Sequence, residues 1–174
     1  MSTIIAVVVL LVAAFLVIAA RRPDAFRIER TASIKAPPQK IFPLIADFHN
    51  WAAWSPFENL DPAMTKTFTG SASGKGAIYA WEGNSKAGKG RMEITDTSLP
   101  SKIVIKLDFY KPFEAHNTAE YTLDARGDST DVTWAMYGRS PFAAKVMGLV
   151  FNMDKTLGKQ FDTGLANLKA VAER

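Results

Sequence analysis

Asp47, His49 and Glu58 lie within one short segment and are of the types that carry general acid–base chemistry. An imidazole beside a carboxylate can give and take a proton near neutrality. No spacing rule joins the three. Asp47 and Asn50 equally suit helix ends, and Asp61-Pro62 is a turn signal. Asp47, His49 and Glu58 are thus the catalytic candidates, but the pattern favours binding over catalysis.

Other chemistries find little footing. With no cysteine, the chain has no thiolate nucleophile, disulfide or thiolate-bound zinc. Two histidines, His49 and His116, are too few for a histidine-rich metal site, so neither metal nor cofactor is expected. Gly83-Asn84-Ser85-Lys86-Ala87-Gly88-Lys89 matches the start of a phosphate loop, but Gly90 replaces the required Ser or Thr. A strand-like run follows where a helix would have to open, so the segment reads as a hairpin. The net charge of +4 is dispersed among alternating signs, which argues against nucleic acid as a partner.

The aromatic residues carry the strongest signal. Trp51, Trp54, Phe57, Tyr79, Trp81, Phe109 and Trp134, with Tyr110, Phe113 and Tyr121 alongside them, fall in strands or in the turn-rich segment 48–62. Singly each reads as core. Together they suit a pocket for an apolar ligand, with Met92, Met136, Met147 and Met153 as adaptable walls; Trp51, Trp54, Phe57, Tyr79, Trp81, Met92, Phe109, Asn117, Trp134 and Met153 are the ten expected contacts.

The elements that must position these residues follow from periodicity. Residues 26–34 alternate, with Arg30 the one exception, and read as a half-buried strand. Ala36-Pro37-Pro38 ends it and opens a short helix through Asp47. Six further strands are predicted over 65–70, 77–82, 89–97, 102–109, 115–123 and 130–137, at the spacing of an antiparallel meander. After Ser140-Pro141 apolar residues recur every three or four positions from Val146 to Ala172, which predicts one long helix. Gly148, Gly158 and Gly164 within it point to close packing, a kink or a vacant volume. Phe142, Met147 and Phe151 lie off its stripe and are expected to pack beneath the first short helices. The fold class is α+β, one long helix covering a curved sheet.

That order, with APPQKIF after the first strand, resembles the SRPBCC superfamily, the START-like group with the helix-grip fold. DFHNWAAWSPFENLDPAM, GKGAIYAWEGN, GKGRMEI and FNMDKTLGKQFDTGLANLK look like its bacterial polyketide cyclase/dehydrase and lipid transport branch. The resemblance implies a seven-stranded antiparallel sheet wrapped around the C-terminal helix, with a hydrophobic cavity between them. It implies a hydrophobic small molecule or lipid as ligand. The alternatives are a cyclase or dehydrase using the same cavity, or a protein-interaction module like the chaperone-ATPase activators. No protein partner can be named.

All 21 basic and 17 acidic side chains lie beyond residue 20. Residues 4–20 are unbroken apolar sequence, about 26 Å long as a helix against a hydrocarbon core of roughly 30 Å. This predicts a single N-terminal transmembrane anchor and basic flank over 1–22, and a helix-grip domain over 23–174. Arg21 and Arg22 place the domain on the cytoplasmic side of a bacterial inner membrane by the positive-inside rule. The alternative is a signal peptide and export.

Overall fold

A computed structural model describes residues 2–174, with side chains from Ile4 onward. The side chains of residues 1–3, inside the expected anchor, lie outside the described residues. Helix α1 spans Ser2–Ala20. Alternating sequence then builds β1, Ala25–Ile34, with Ile28 and Ile34 buried on the face that also carries Arg30. After α2, Pro38–Ala46, come two 3-10 turns, Phe48–Ala53 and Pro56–Asn59. The strands β2 (Thr65–Gly70), β3 (Ala77–Glu82), β4 (Lys89–Ser98), β5 (Lys102–Lys111), β6 (Ala115–Arg126) and β7 (Ser129–Arg139) follow.

All seven strands form one antiparallel sheet in the order β1-β7-β6-β5-β4-β3-β2, so that β7 closes back on β1. From β2 to β7, consecutive strands pair as hairpins. The β6–β7 turn is tight because Gly127 supplies a φ of 66°. A register shift between Ile94 and Asp96 bends β4 against β5, and bulges of this kind help a sheet curve. Its concave face carries Ile94, Ile103, Ile105, Tyr121, Val132 and Trp134, all buried.

The expected long helix is two helices. α3 covers Phe142–Val150 and α4 covers Met153–Ala172. Phe151 between them is extended, and the Asn152 side chain accepts a hydrogen bond from Lys155 N at 2.9 Å. That cap satisfies an amide which a continuous helix would have paired, so α4 starts there. Phe161, Leu165, Leu168 and Ala172 of α4 enter the core. The first part of the apolar stripe does not: Val150 and Met153 are exposed. Phe142, Met147 and Phe151 are exposed as well, contrary to their expected packing.

Two helix glycines mark close packing. A Cβ at Gly164 would lie 2.7 Å from Trp134 Cζ3, so the indole rests directly on the α4 backbone. A Cβ at Gly158 would lie 2.0 Å from Arg30 Nη2. The guanidinium crosses α4 there to reach Asp154 at 3.2 Å and Asp162 at 3.5 Å. This explains how a charge sits on the helix-facing side of β1: it bridges the sheet edge to the helix.

Among the described residues no helix is long and apolar enough to cross a membrane. The transmembrane span predicted for residues 4–20 is therefore unsupported. α1 nonetheless presents Ile4, Val9, Leu10 and Leu11 at 61–71% exposure. Only its C-terminal end docks: Ala19 is buried, and Arg22 donates to Gly148 O of α3 at 2.7 Å.

Candidate functional site: an aromatic cavity between sheet and helix

Local capping chemistry builds one wall of a cavity. The last turn of α2 leaves the carbonyls of Leu44, Ile45 and Ala46 without partners in the helix, as any helix end does, while Pro43 O accepts from Asp47 N at 3.3 Å. The segment that follows supplies their partners. Asn50 Nδ2 donates to Pro43 O at 3.0 Å, Trp54 Nε1 to Leu44 O at 2.9 Å, Trp51 Nε1 to Ile45 O at 2.9 Å, and Gly74 N to Ala46 O at 2.8 Å. Two indoles are thereby fixed against the helix end with their rings turned into the core.

From them an aromatic chain crosses the molecule. Trp51 meets Trp54 at 5.0 Å between ring centroids, Trp54 meets Tyr121 edge-on at 6.2 Å, and Tyr121 stacks on Trp134 at 5.1 Å. Trp134 then stacks on Phe161 of α4 at 4.2 Å. Such pairs add about 0.5–1.5 kcal/mol each beyond the area they bury.

These rings border a cavity of about 290 Å³ between the concave sheet face, α4 and the segment 51–64. Seven of the ten residues expected to contact a ligand line it: Trp51, Phe57, Tyr79, Trp81, Met92, Phe109 and Trp134. Three do not. Trp54 is buried behind the wall at 1% exposure and supports it. Asn117 lies over Gly138, where a Cβ would come within 2.2 Å of its Oδ1. Met153 is exposed at the start of α4. Tyr121 and Met136, from the wider aromatic and methionine set, line it too; Leu157, Phe161 and Ser55 do so without having been selected from the sequence, and Leu60, Met64, Leu107 and Ala119 belong to the same wall. Tyr121 was legible as an inward position of β6, between Ala119 and Leu123; Ser55 carried no signal.

The acid–base candidates do not converge. Asp47 and His49 are joined by a 2.8 Å Oδ1–Nδ1 contact, but His49 is exposed and stacks on Phe68 at 4.2 Å. Asp47 also caps the first 3-10 turn by accepting from His49 N. Neither lines the cavity. Glu58 does, with its carboxylate held by Lys66 and by Tyr79 OH at 2.9 Å. Burial, and then the Glu58 charge, push the Tyr79 phenol far above its usual range, so it serves as a neutral donor. Asp61 is structural: its Oδ2 accepts from Asn84 N at 2.7 Å and its Oδ1 from Ala63 N at 3.0 Å. Gly83–Lys89 is the β3–β4 turn, as its sequence predicts, and Trp81 Nε1 donates to Ala87 O within it at 2.9 Å. Among the described residues no cluster of three or more metal-ligating side chains occurs.

A second His–carboxylate pair lies on the sheet away from the cavity. His116 Nδ1 is 2.7 Å from Asp108 Oδ1, with Lys106 at 3.1 Å from the same carboxylate. Burial alone would raise the Asp108 carboxyl, but hydrogen bonds from His116 and Lys106 outweigh it and hold it low. The bond to Asp108 is the main cause that raises His116 above 6.5. A raised histidine stabilises the fold fully below its unfolded value, and that contribution fades as pH climbs through the folded value. Denaturant melts of wild type between pH 5.5 and 8.5 should therefore show stability falling above about 6.5, and His116→Gln should flatten that slope. Equal slopes in the two proteins would contradict the pairing. The depressed Asp108 works in the acid range, losing its contribution as pH falls below its ordinary 3.8.

The comparisons with known proteins agree with this architecture. Residues 25–173 match the family described as polyketide cyclase/dehydrase and lipid transport. The chain belongs to that family, and with it to the SRPBCC superfamily, whose helix-grip architecture the sheet and α4 reproduce. No curated protein matches the sequence. Among solved structures, protein CV1439 from Chromobacterium violaceum superposes with a TM-score of 0.60 at 14% identity, over 88% of this chain and 99% of that one. Ms6760 from Mycobacterium smegmatis gives 0.58 at 20% identity, over 83% and 89%. The Aha1 dimer from Colwellia psychrerythraea gives 0.56 at 16% identity, over 85% and 96%. At these identities the likeness is one of fold.

Proposed function

We propose that this protein is a membrane-anchored carrier or receptor for one compact hydrophobic molecule held in the cavity. The observation that carries this reading is the cavity itself: about 290 Å³, walled by aromatic and methionine side chains, between elements that would otherwise pack together. Close packing is the rule in protein interiors, and a volume of this size at a fold's centre is the usual mark of a ligand site. The size favours a single ring-based molecule over a two-chain lipid, since it falls just below the roughly 300–1,000 Å³ that holds drug-sized ligands.

Anchoring rests on α1. Its exposed apolar surface continues onto α3, where Phe142, Met147, Val150 and Phe151 are exposed beside the docked end of α1. Monomeric proteins rarely leave so much contiguous apolar surface in water. Inserted in a bilayer, α1 would keep Arg21 and Arg22 at the cytoplasmic face and the cavity close to a reservoir of apolar solutes.

A cyclase or dehydrase would need an acid or base at the cavity. Of the three candidates Glu58 alone lines it, and both its oxygens are already held. Binding is the reading the geometry supports best. Native mass spectrometry of the full chain purified in mild detergent is the test. One small apolar molecule per chain supports it; protein that stays unliganded across ring-compound and lipid panels contradicts it.

A further inference from the structure

The cavity wall contains two hydroxyls that the protein leaves unpaired. Ser55 Oγ and Tyr121 OH are buried, at 1% and 0% residue exposure, and neither has a hydrogen-bond partner among the described residues. Both residues line the cavity. Buried polar groups in native proteins are nearly always satisfied, and an orphan is costly enough to need a reason.

The surroundings make local repair difficult. Tyr121 sits mid-strand in β6, paired with Ile103 and Trp134, and its ring is held by Trp54 at 6.2 Å and Trp134 at 5.1 Å. The Ser55 backbone is already spent, its N–H on Trp51 O at 2.8 Å and its carbonyl on Glu58 N at 3.3 Å. Neighbouring polar groups are engaged too: Tyr79 with Glu58, Glu58 with Lys66, Trp51 with Ile45 O and Trp81 with Ala87 O.

We propose that Tyr121 OH and Ser55 Oγ are the polar recognition point of the cavity, hydrogen-bonding a neutral oxygen function, a ketone or hydroxyl, on an otherwise apolar ring compound. This rests on the binding function proposed above and specifies its ligand class. The two hydroxyls carry no charge, and burial pushes the Tyr121 phenol well above its normal range, so it remains a donor at neutral pH. An anion at that depth would lose its hydration and gain only neutral donors, whereas a carbonyl needs no more than a donor. Shape, set by the aromatic walls, would admit the rings; the hydroxyls would choose among them.

The test compares three probes of one skeleton, 9-fluorenone, fluorene and fluorene-9-carboxylate, titrated against full-length protein by tryptophan fluorescence. Wild type, Tyr121→Phe and Ser55→Ala are measured side by side. In wild type, fluorenone should bind about tenfold or more tighter than fluorene. Tyr121→Phe should remove most of that preference while leaving fluorene affinity unchanged. The same variant should melt at or above the wild-type temperature without ligand, because it deletes an unsatisfied buried hydroxyl. A hydroxyl with a purely structural role would instead lower the melting temperature. Equal affinity for fluorenone and fluorene in wild type, or tighter binding of the carboxylate, overturns the inference and leaves the cavity reading intact. Failure of every probe to bind overturns the cavity reading as well.

Discussion

Trp54→Ala is expected to lower stability by about 3–5 kcal/mol, the range for truncating a fully buried aromatic residue. The side chain is 1% exposed and touches Trp51, Tyr121 and Trp134, so its loss opens a hole behind the cavity wall. It also strips Leu44 O of its indole donor at the end of α2. Against a typical total of about 5–15 kcal/mol, a loss of that size is a large fraction of the whole. For a domain of this length it corresponds to a fall in Tm of roughly 6–20 °C. Trp54→Phe separates the two contributions: most of the ring packing stays, the carbonyl loses its partner, and about 1 kcal/mol should go. Thermal and denaturant melts of both variants check this. A Trp54→Ala protein as stable as wild type would mean that the segment 48–60 is not fixed by this residue.

If α1 is the proposed membrane anchor, Leu11→Arg should detach the protein from membranes. Leu11 lies near the middle of α1 and is 65% exposed. An arginine at the centre of an inserted helix costs about 2.5–3.5 kcal/mol, which shifts the membrane partition on the order of a hundredfold. Leu11 makes no contribution to the core of the sheet domain, so melting of that domain should not change. Carbonate-washed membranes from cells producing wild type should retain the chain, and the variant should move to the supernatant. Wild type found in the supernatant would refute the anchor, leaving the cavity reading untouched.

Most of the sheet was legible because alternation is a local property. Ile103, Ile105 and Leu107 point inward because every second residue must, and the register follows once hairpins join neighbouring strands. The break between α3 and α4 was hidden, since Val146, Val150 and Met153 carry the apolar period across it. Only the Asn152 cap interrupts the helix, and an asparagine in mid-pattern is a faint mark.

The site was legible in composition and not in geometry. Trp51 and Trp54 look alike in the chain, three residues apart, yet one lines the cavity and the other stands behind it. The difference lies in which α2 carbonyl each indole reaches, a matter of three-dimensional packing. Gly164 is similar. Its sequence signal left close packing, a kink and a vacant volume open, and the structure shows close packing, with the Trp134 ring against the helix backbone. Asp47 and His49 misled because neighbours in sequence suggested a shared site, whereas their contacts serve the surface of a turn.

The most direct test of the account fills the cavity. Ala119 is 5% exposed and lines it from β6, so Ala119→Phe would place a ring in the space assigned to a ligand. Native mass spectrometry of full-length wild type and Ala119→Phe, purified alike in mild detergent, compares what each retains. The account predicts one compact apolar molecule per wild-type chain and none on a folded Ala119→Phe variant. The same bound mass on both proteins would contradict it, for then whatever is bound does not occupy the cavity.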